Sequence, residues 1–205
     1  MDRRNLLLGA SAGAMFLWTG TAQAASATVG QPAPDFTLTD TAGKAVRLAD
    51  YRGRTVVLEW NNPGCPFVRK HYQGNMQGLQ KEAAAQDVVW LAINSTETGS
   101  GDYLSPAQLA RWMQDKQAAP TATLMDEDGV VGRAYGARVT PHMYIVNAKG
   151  LLVYAGAIDS IPSARVDDIP KATNFVRQAM GEIKAGKPLS VSATAPYGCT
   201  VKYKT

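Results

Sequence analysis

The stretch Thr55-Val56-Val57-Leu58-Glu59-Trp60-Asn61-Asn62-Pro63-Gly64-Cys65-Pro66-Phe67-Val68-Arg69-Lys70-His71-Tyr72 decides how the chain is read. Its apolar, β-favouring start predicts a buried strand. Asn61-Asn62-Pro63-Gly64 is dense in residues that bend the backbone and predicts a turn. Cys65 follows, and Pro66 suits the first turn of a helix whose spacing runs on through Val68, Tyr72, Met76 and Leu79. A cysteine at such a strand-to-helix turn faces unpaired amides and the positive end of the helix dipole. That placement can bring a thiol pKa from about 8.5 down to roughly 3.5–7.5, so Cys65 is the candidate nucleophile. Glu59 interrupts the apolar strand, and two readings stand for it. It faces a solvent-exposed edge or pairs with a lysine, or it is a buried acid with raised pKa that moves protons at the cysteine site.

Outward from this centre, the 205 residues suit one domain with a proper core, and 45% hydrophobic with 19% charged residues excludes a disordered chain. Residues 1–24 are set apart. Asp2-Arg3-Arg4-Asn5 precedes an apolar run through Trp18, and Ala22-Gln23-Ala24 offers a small-x-small cleavage site. The paired arginines resemble a twin-arginine export signal, with an ordinary secretory signal as the alternative, and the expected location is the periplasm. The apolar run is too short for a confident spanning helix, so no stable membrane insertion is expected. Asp2, Arg3 and Arg4 sum to +1 of the net charge of +4, leaving +3 from Ala25 onward. With no basic stripe, nucleic acid is not an expected partner. Cys65 and Cys199 are the only cysteines, and a pair in an oxidising compartment usually means a disulfide, structural or catalytic.

Along residues 25–186, Phe36 and Leu38 with Val46 and Leu48 predict a hairpin around Thr41-Ala42-Gly43-Lys44. Strands are expected at 88–93, 123–125, 143–146 and 151–157. Helices are expected from Ser105-Pro106 through Met113, from Gly129 to Tyr135, and from Lys171 to Ala185. The order predicts a mixed sheet with helices on both faces. Residues 187–205 form a tail that carries Cys199 and reads as irregular and mobile.

Pro32-Ala33-Pro34-Asp35-Phe36-Thr37-Leu38, Gly43-Lys44, Leu48-Ala49-Asp50-Tyr51-Arg52-Gly53 and Val56-Val57-Leu58 resemble the opening of the redoxin group. That group includes alkyl-hydroperoxide-reductase-C-like peroxiredoxins and exported thiol-disulfide thioredoxins. The likeness runs from about Gly30 to Gly156 and implies a thioredoxin-like fold: α/β, a central mixed sheet flanked by helices, with an N-terminal β-hairpin extension. It implies that Cys65 is the attacking cysteine and Glu59 the buried carboxylate. Val139-Thr140-Pro141 matches the loop whose cis-proline faces the cysteine, leaving Thr140 free to pair with an extended substrate. Thr140, Pro141, Pro66 and Phe67 are the expected substrate-binding residues.

The chain departs from the pattern it resembles at telling positions. Val68 stands where a C-x-x-C motif has its second cysteine. Asn62 and Leu58 replace the Thr/Ser and proline of the peroxiredoxin motif, and the peroxide-polarising arginine falls at Pro141. Arg69 is the stand-in. The preferred reading is an exported thiol-disulfide oxidoreductase, with Cys199 as the resolving cysteine and an outside thiol as reductant. The alternatives are a peroxiredoxin-like peroxidase and a metal-handling protein built on Cys65, His71 and His142. The last lacks a second cysteine in the motif, and no cofactor or metal is expected. His71 is expected on a solvated helix face and His142 beside the substrate groove. Trp60, Trp90 and Trp112 read as core or groove wall.

Overall fold

The computed structural model describes residues 27–204. The expected signal segment, residues 1–24, lies outside the described residues. β1 (Thr37–Asp40) and β2 (Ala45–Arg47) form the N-terminal hairpin. β3 (Val56–Trp60) is buried along its whole length, as its unbroken apolar run requires of a central strand. Then follow α1 (Pro66–His71), α2 (Asn75–Ala84), β4 (Val89–Asn94), α3 (Pro106–Asp115), β5 (Ala122–Met125) and α4 (Val130–Tyr135). β6 (Val139–Thr140), β7 (His142–Val146), β8 (Leu152–Gly156), α5 (Phe175–Lys184) and β9 (Cys199–Thr200) complete the order. The main sheet runs β2-β1-β5-β4-β3-β7-β8. β3 pairs in parallel with β4 and antiparallel with β7, so it sits at the heart of a mixed sheet.

Strand alternation divides β3 between two cores. Val56, Leu58 and Trp60 face a cluster with Leu91, Tyr135 and Tyr144. Val57 faces a second cluster with Val68, Tyr72, Leu79, Leu109 and Val176, where α1, α2, α3 and α5 pack. Glu59 shares the parity of Val57, so its carboxylate is directed among the helices, not toward solvent.

The expected continuous helix after Cys65 is broken. α1 ends at His71, and Gly74 adopts φ 110° as the N-cap of α2. Only a residue without a β-carbon takes that backbone readily, so the chain turns here while Val68, Tyr72, Met76 and Leu79 all stay buried. α3 starts as its sequence suggests: Ser105 caps the Gln108 amide, and Gln108 returns a bond to the Ser105 amide. The last helix begins at Phe175, not Lys171. Residues 166–171 form a 3-10 turn containing Pro170, and Asn174 caps the Arg177 amide at 2.9 Å.

The tail is the largest departure from expectation. Instead of an irregular mobile segment it is a packed part of the fold. Ala193 bridges Ala155, Thr194 Oγ1 accepts from the Ala157 amide at 2.8 Å, and β9 pairs antiparallel with β6. Beyond β9, the Val201 amide donates to Arg138 and the Tyr203 hydroxyl donates to Ala137.

Candidate active site

The turn before Cys65 is tightly built. Asn62 Oδ1 accepts from the Gly64 amide at 2.7 Å, and the Asn62 carbonyl accepts from the Cys65 amide at 2.9 Å. Cys65 is the N-cap of α1, with exposed Pro66 at its first position. The Arg69 guanidinium reaches back, its Nε donating to the Pro63 carbonyl at 2.7 Å. Arg69 therefore braces the turn from the exposed side: its amide donates to the Cys65 carbonyl at 2.9 Å, and no hydrogen bond or ion pair joins its guanidinium to the Cys65 thiol. Its place as a stand-in for a peroxide-polarising arginine has no support in this arrangement.

Cys65 is 2% exposed. Its Sγ lies 3.0 Å from the Thr140 carbonyl oxygen and 2.6 Å from Cys199 Sγ, and both cysteines are free thiols here. The Thr140–Pro141 bond is cis. The register of the small sheet sets Thr140 opposite Cys199. Thr140 is thus not free for an outside peptide: the chain's own tail takes that edge and lays Cys199 over Cys65. The Cys199 thiol is pushed up to about 12, first by burial, then by its hydrogen bond with Cys65 and by negative charge on Cys65. Cys199 accordingly keeps its proton near neutral pH.

Glu59 is completely buried. Its carboxylate accepts from Trp90 Nε1 at 2.7 Å, from the Tyr72 hydroxyl at 2.8 Å and from Gln80 Nε2 at 3.4 Å. Loss of water raises its pKa, and these donors pull the other way without prevailing. Asn61 also favours the charged form through its nearby amide, although neither of its side-chain polar atoms makes a hydrogen bond of good geometry. Glu59 makes no direct hydrogen bond to Cys65. Its partner Tyr72 closes α1, the helix that Cys65 caps, and the Tyr72 ring packs on Trp112 with centroids 4.6 Å apart.

A second polar cluster was not legible in the sequence. Lys70 and Asp159 are both buried, with Nζ 3.5 Å from Oδ2, and Lys70 Nζ also donates to the Ile161 carbonyl at 3.4 Å. His71 is buried too, which corrects its expected place on a solvated face. Asn75 Nδ2 lies 2.8 Å from His71 Nδ1, and His71 Nε2 lies 3.1 Å from the Tyr197 hydroxyl. The Tyr197 hydroxyl donates to Asp159 Oδ1. With the imidazole proton on Nε2, the bonds run in one direction from Asn75 through His71 and Tyr197 to Asp159. Burial pushes His71 down to about 4, so its 3.8 Å approach to Asp159 is not an ion pair near neutral pH. Phe67, an expected substrate contact, packs edge-on against Tyr197 with centroids 5.7 Å apart. The helical spacing of Phe67 and His71 was the signal for this second inward face.

His142 is also buried. It stacks on Tyr144 with centroids 4.5 Å apart, its Nδ1 3.1 Å from the Tyr144 hydroxyl, so it faces the core instead of a groove. Trp60 and Trp90 are core residues, and Trp60 Nε1 donates to Ser95 Oγ at 3.0 Å. Among the described residues no group of three or more His, Cys, Asp or Glu side chains is arranged to hold a metal ion.

Residues 29–155 match the profile of the AhpC/TSA family. The chain belongs to that family. A protein of Mycobacterium tuberculosis provisionally named a peroxiredoxin is 30% identical over 136 residues, 64% of this chain and 78% of its own length. The thiol:disulfide interchange protein DsbE of Pseudomonas aeruginosa is 24% identical over 147 residues, 70% of this chain and 75% of the relative. The crystal structure of a hypothetical protein from Sinorhizobium meliloti 1021 superposes with a TM-score of 0.75 at 23% identity, covering 88% of this chain and 97% of that one. The fold is thioredoxin-like, and this AhpC/TSA member is an oxidoreductase of the redoxin kind. The matched span contains Cys65, Glu59 and the cis-proline loop, whereas Asp159, Tyr197 and Cys199 lie beyond it.

Proposed function

We propose that this redoxin is a thiol-disulfide oxidoreductase whose working pair is Cys65 and Cys199 of one chain. The observation that carries the reading is the 2.6 Å approach of the two sulfurs, fixed by the Thr140–Cys199 register. The Cys65 thiolate attacks one sulfur of a substrate disulfide, forming a mixed disulfide and expelling the other sulfur as a thiolate. Cys199 then attacks Cys65 Sγ. The second substrate sulfur leaves as a thiolate, and the Cys199 proton passes to a released thiolate. The substrate gains two electrons, the pair becomes a disulfide, and an outside thiol reductant restores it by two further exchanges. Glu59 serves as the buried proton store for this chemistry.

Disulfide exchange is preferred to peroxide reduction because Arg69 is bonded to the Pro63 carbonyl and Pro141 occupies the place of the family's polarising arginine. Because Cys65 is covered by Cys199, the first attack requires the tail to lift at that point. Replacing Cys199 by Ser tests the scheme. The variant should accumulate a long-lived Cys65 adduct with a model disulfide, whereas the wild type turns over. Equal turnover by the variant would rule Cys199 out as the resolving thiol.

The proposed place of action is the periplasm, on the strength of the N-terminal Arg3-Arg4 pattern and the Ala22-Gln23-Ala24 site. Among the described residues no helix is long and apolar enough to cross a membrane. A mature N-terminus at Ala25 in the periplasmic fraction is the expected result, and full-length protein in the cytoplasm would contradict it.

A further inference from the structure

The cluster of Lys70, His71, Asp159 and Tyr197 has no part in the sulfur chemistry, yet it ties together the two segments that carry the cysteines. α1 has Cys65 at its start and Lys70 and His71 in its last turn. The tail has Tyr197 two residues before Cys199. Asp159, from the segment after β8, stands between them. The two cysteine-bearing segments are therefore joined twice, at the sulfurs and again at the Tyr197 hydroxyl.

From this arrangement we infer that Tyr197 is a positioning residue: seated on the buried Lys70–His71–Asp159 cluster, it holds Cys199 over Cys65 and keeps the Val139–Thr140 edge closed to other extended chains. The inference rests on the reading of Cys65 and Cys199 as one redox pair and adds what governs their encounter.

The physical reason lies in the buried charges. A buried lysine–aspartate pair is tolerated only where its remaining donors and acceptors are satisfied. Asp159 Oδ1 is satisfied by the Tyr197 hydroxyl and by the Ile161 amide at 3.1 Å. While the tail is seated, Tyr197 is part of that satisfaction and its ring covers the site, with Lys70 Nζ 5.7 Å from the ring centroid. With the tail lifted, water reaches Asp159 and Lys70 and replaces what Tyr197 supplied. The hydroxyl therefore favours the seated state over the lifted one. Removing it leaves the ring packing on Phe67 but shifts the balance toward lifting.

The test uses two arms on the full chain. In the first, Cys65 is the only thiol, in a Cys199→Ser background, and its alkylation by iodoacetamide is timed. Adding Tyr197→Phe should speed alkylation about tenfold, the effect of losing one hydrogen bond to a charged group. Tyr135→Phe is the control, since it removes a hydroxyl that donates to the Pro34 carbonyl and not to a residue of the tail. It should lower stability and leave the rate unchanged. An unchanged rate with Tyr197→Phe, or an equal rise with Tyr135→Phe, overturns the inference. In the second arm both cysteines are present, and the disulfide equilibrium is measured in glutathione buffers. Tyr197→Phe should weaken the Cys65–Cys199 disulfide by a similar factor, and an unchanged equilibrium overturns the positioning role. If the wild type forms no such disulfide, the redox-pair reading fails and the first arm alone decides whether Tyr197 seats the tail.

Discussion

Gly198 lies so close to the Thr140 carbonyl that a β-carbon at Gly198 would overlap the carbonyl oxygen. The backbone there has φ 141°, which residues with side chains rarely adopt. This approach lets β9 reach β6 and delivers Cys199 to Cys65. Gly198→Ala should push the tail off the cis-proline loop while the main sheet stays intact. The expected outcome is at least a tenfold weaker Cys65–Cys199 disulfide in a glutathione titration, with a wild-type far-UV circular dichroism spectrum. A wild-type equilibrium would mean that the tail tolerates the added carbon and that the glycine is incidental.

Glu59 collects three side-chain donors, so Glu59→Gln should cost stability as well as alter chemistry. A glutamine cannot accept from both Trp90 Nε1 and the Tyr72 hydroxyl through two oxygens, and one buried donor is left without its partner. The expected loss is about 1–3 kcal/mol in urea unfolding. The same variant should shift the pH profile of Cys65 alkylation, because a titrating carboxylate has been replaced by a neutral amide. Lower stability with an unshifted profile would make Glu59 a structural residue only.

Histidine burial gives the protein a defined acid sensitivity. His71 and His142 are each pushed down to about 4 by loss of water. In the unfolded chain they titrate near 6.5. Between those values the unfolded chain holds more protons, so the stability that neutral burial provides is complete above about pH 6.5 and is lost as pH falls toward 4. Glu59, raised by burial, contributes the opposite slope, so the histidine effect is best isolated by difference. His71→Gln should lose about 2 kcal/mol less than the wild type between pH 7 and pH 5 in urea unfolding. Parallel pH curves would show that His71 titrates in the fold as it does in the unfolded chain, against its neutral burial.

The strand, turn and helix start around Cys65 were legible because each rests on local chemistry: an apolar β-branched run, an Asn-Pro-Gly turn and a proline at a helix start. The burial of Glu59 was one of two open readings, and the sheet settles it by setting Glu59 on the same side as Val57; its donors Trp90 and Gln80 come from distant segments. The break at Gly74 was hidden because Met76 and Leu79 keep the helical spacing across it. The tail was misread because its order comes from contacts with no local signature. Cys199 meets a residue 134 positions away, and Asp159 meets Lys70 across 89. His71 was assigned to solvent because a lone histidine near a helix end carries no sign of the Tyr197 that covers it.

The central claim is that Cys65 and Cys199 are the two halves of one redox pair within one chain, and peptide mass tests it most directly. After mild oxidation and tryptic digestion without reductant, the peptide Thr55–Arg69 should be found joined to Ala185–Lys202. The undigested protein should keep the mass of a single chain, and reduction should separate the two peptides. Oxidised protein in which those peptides stay separate, or are joined only in a species of twice the mass, would contradict the account.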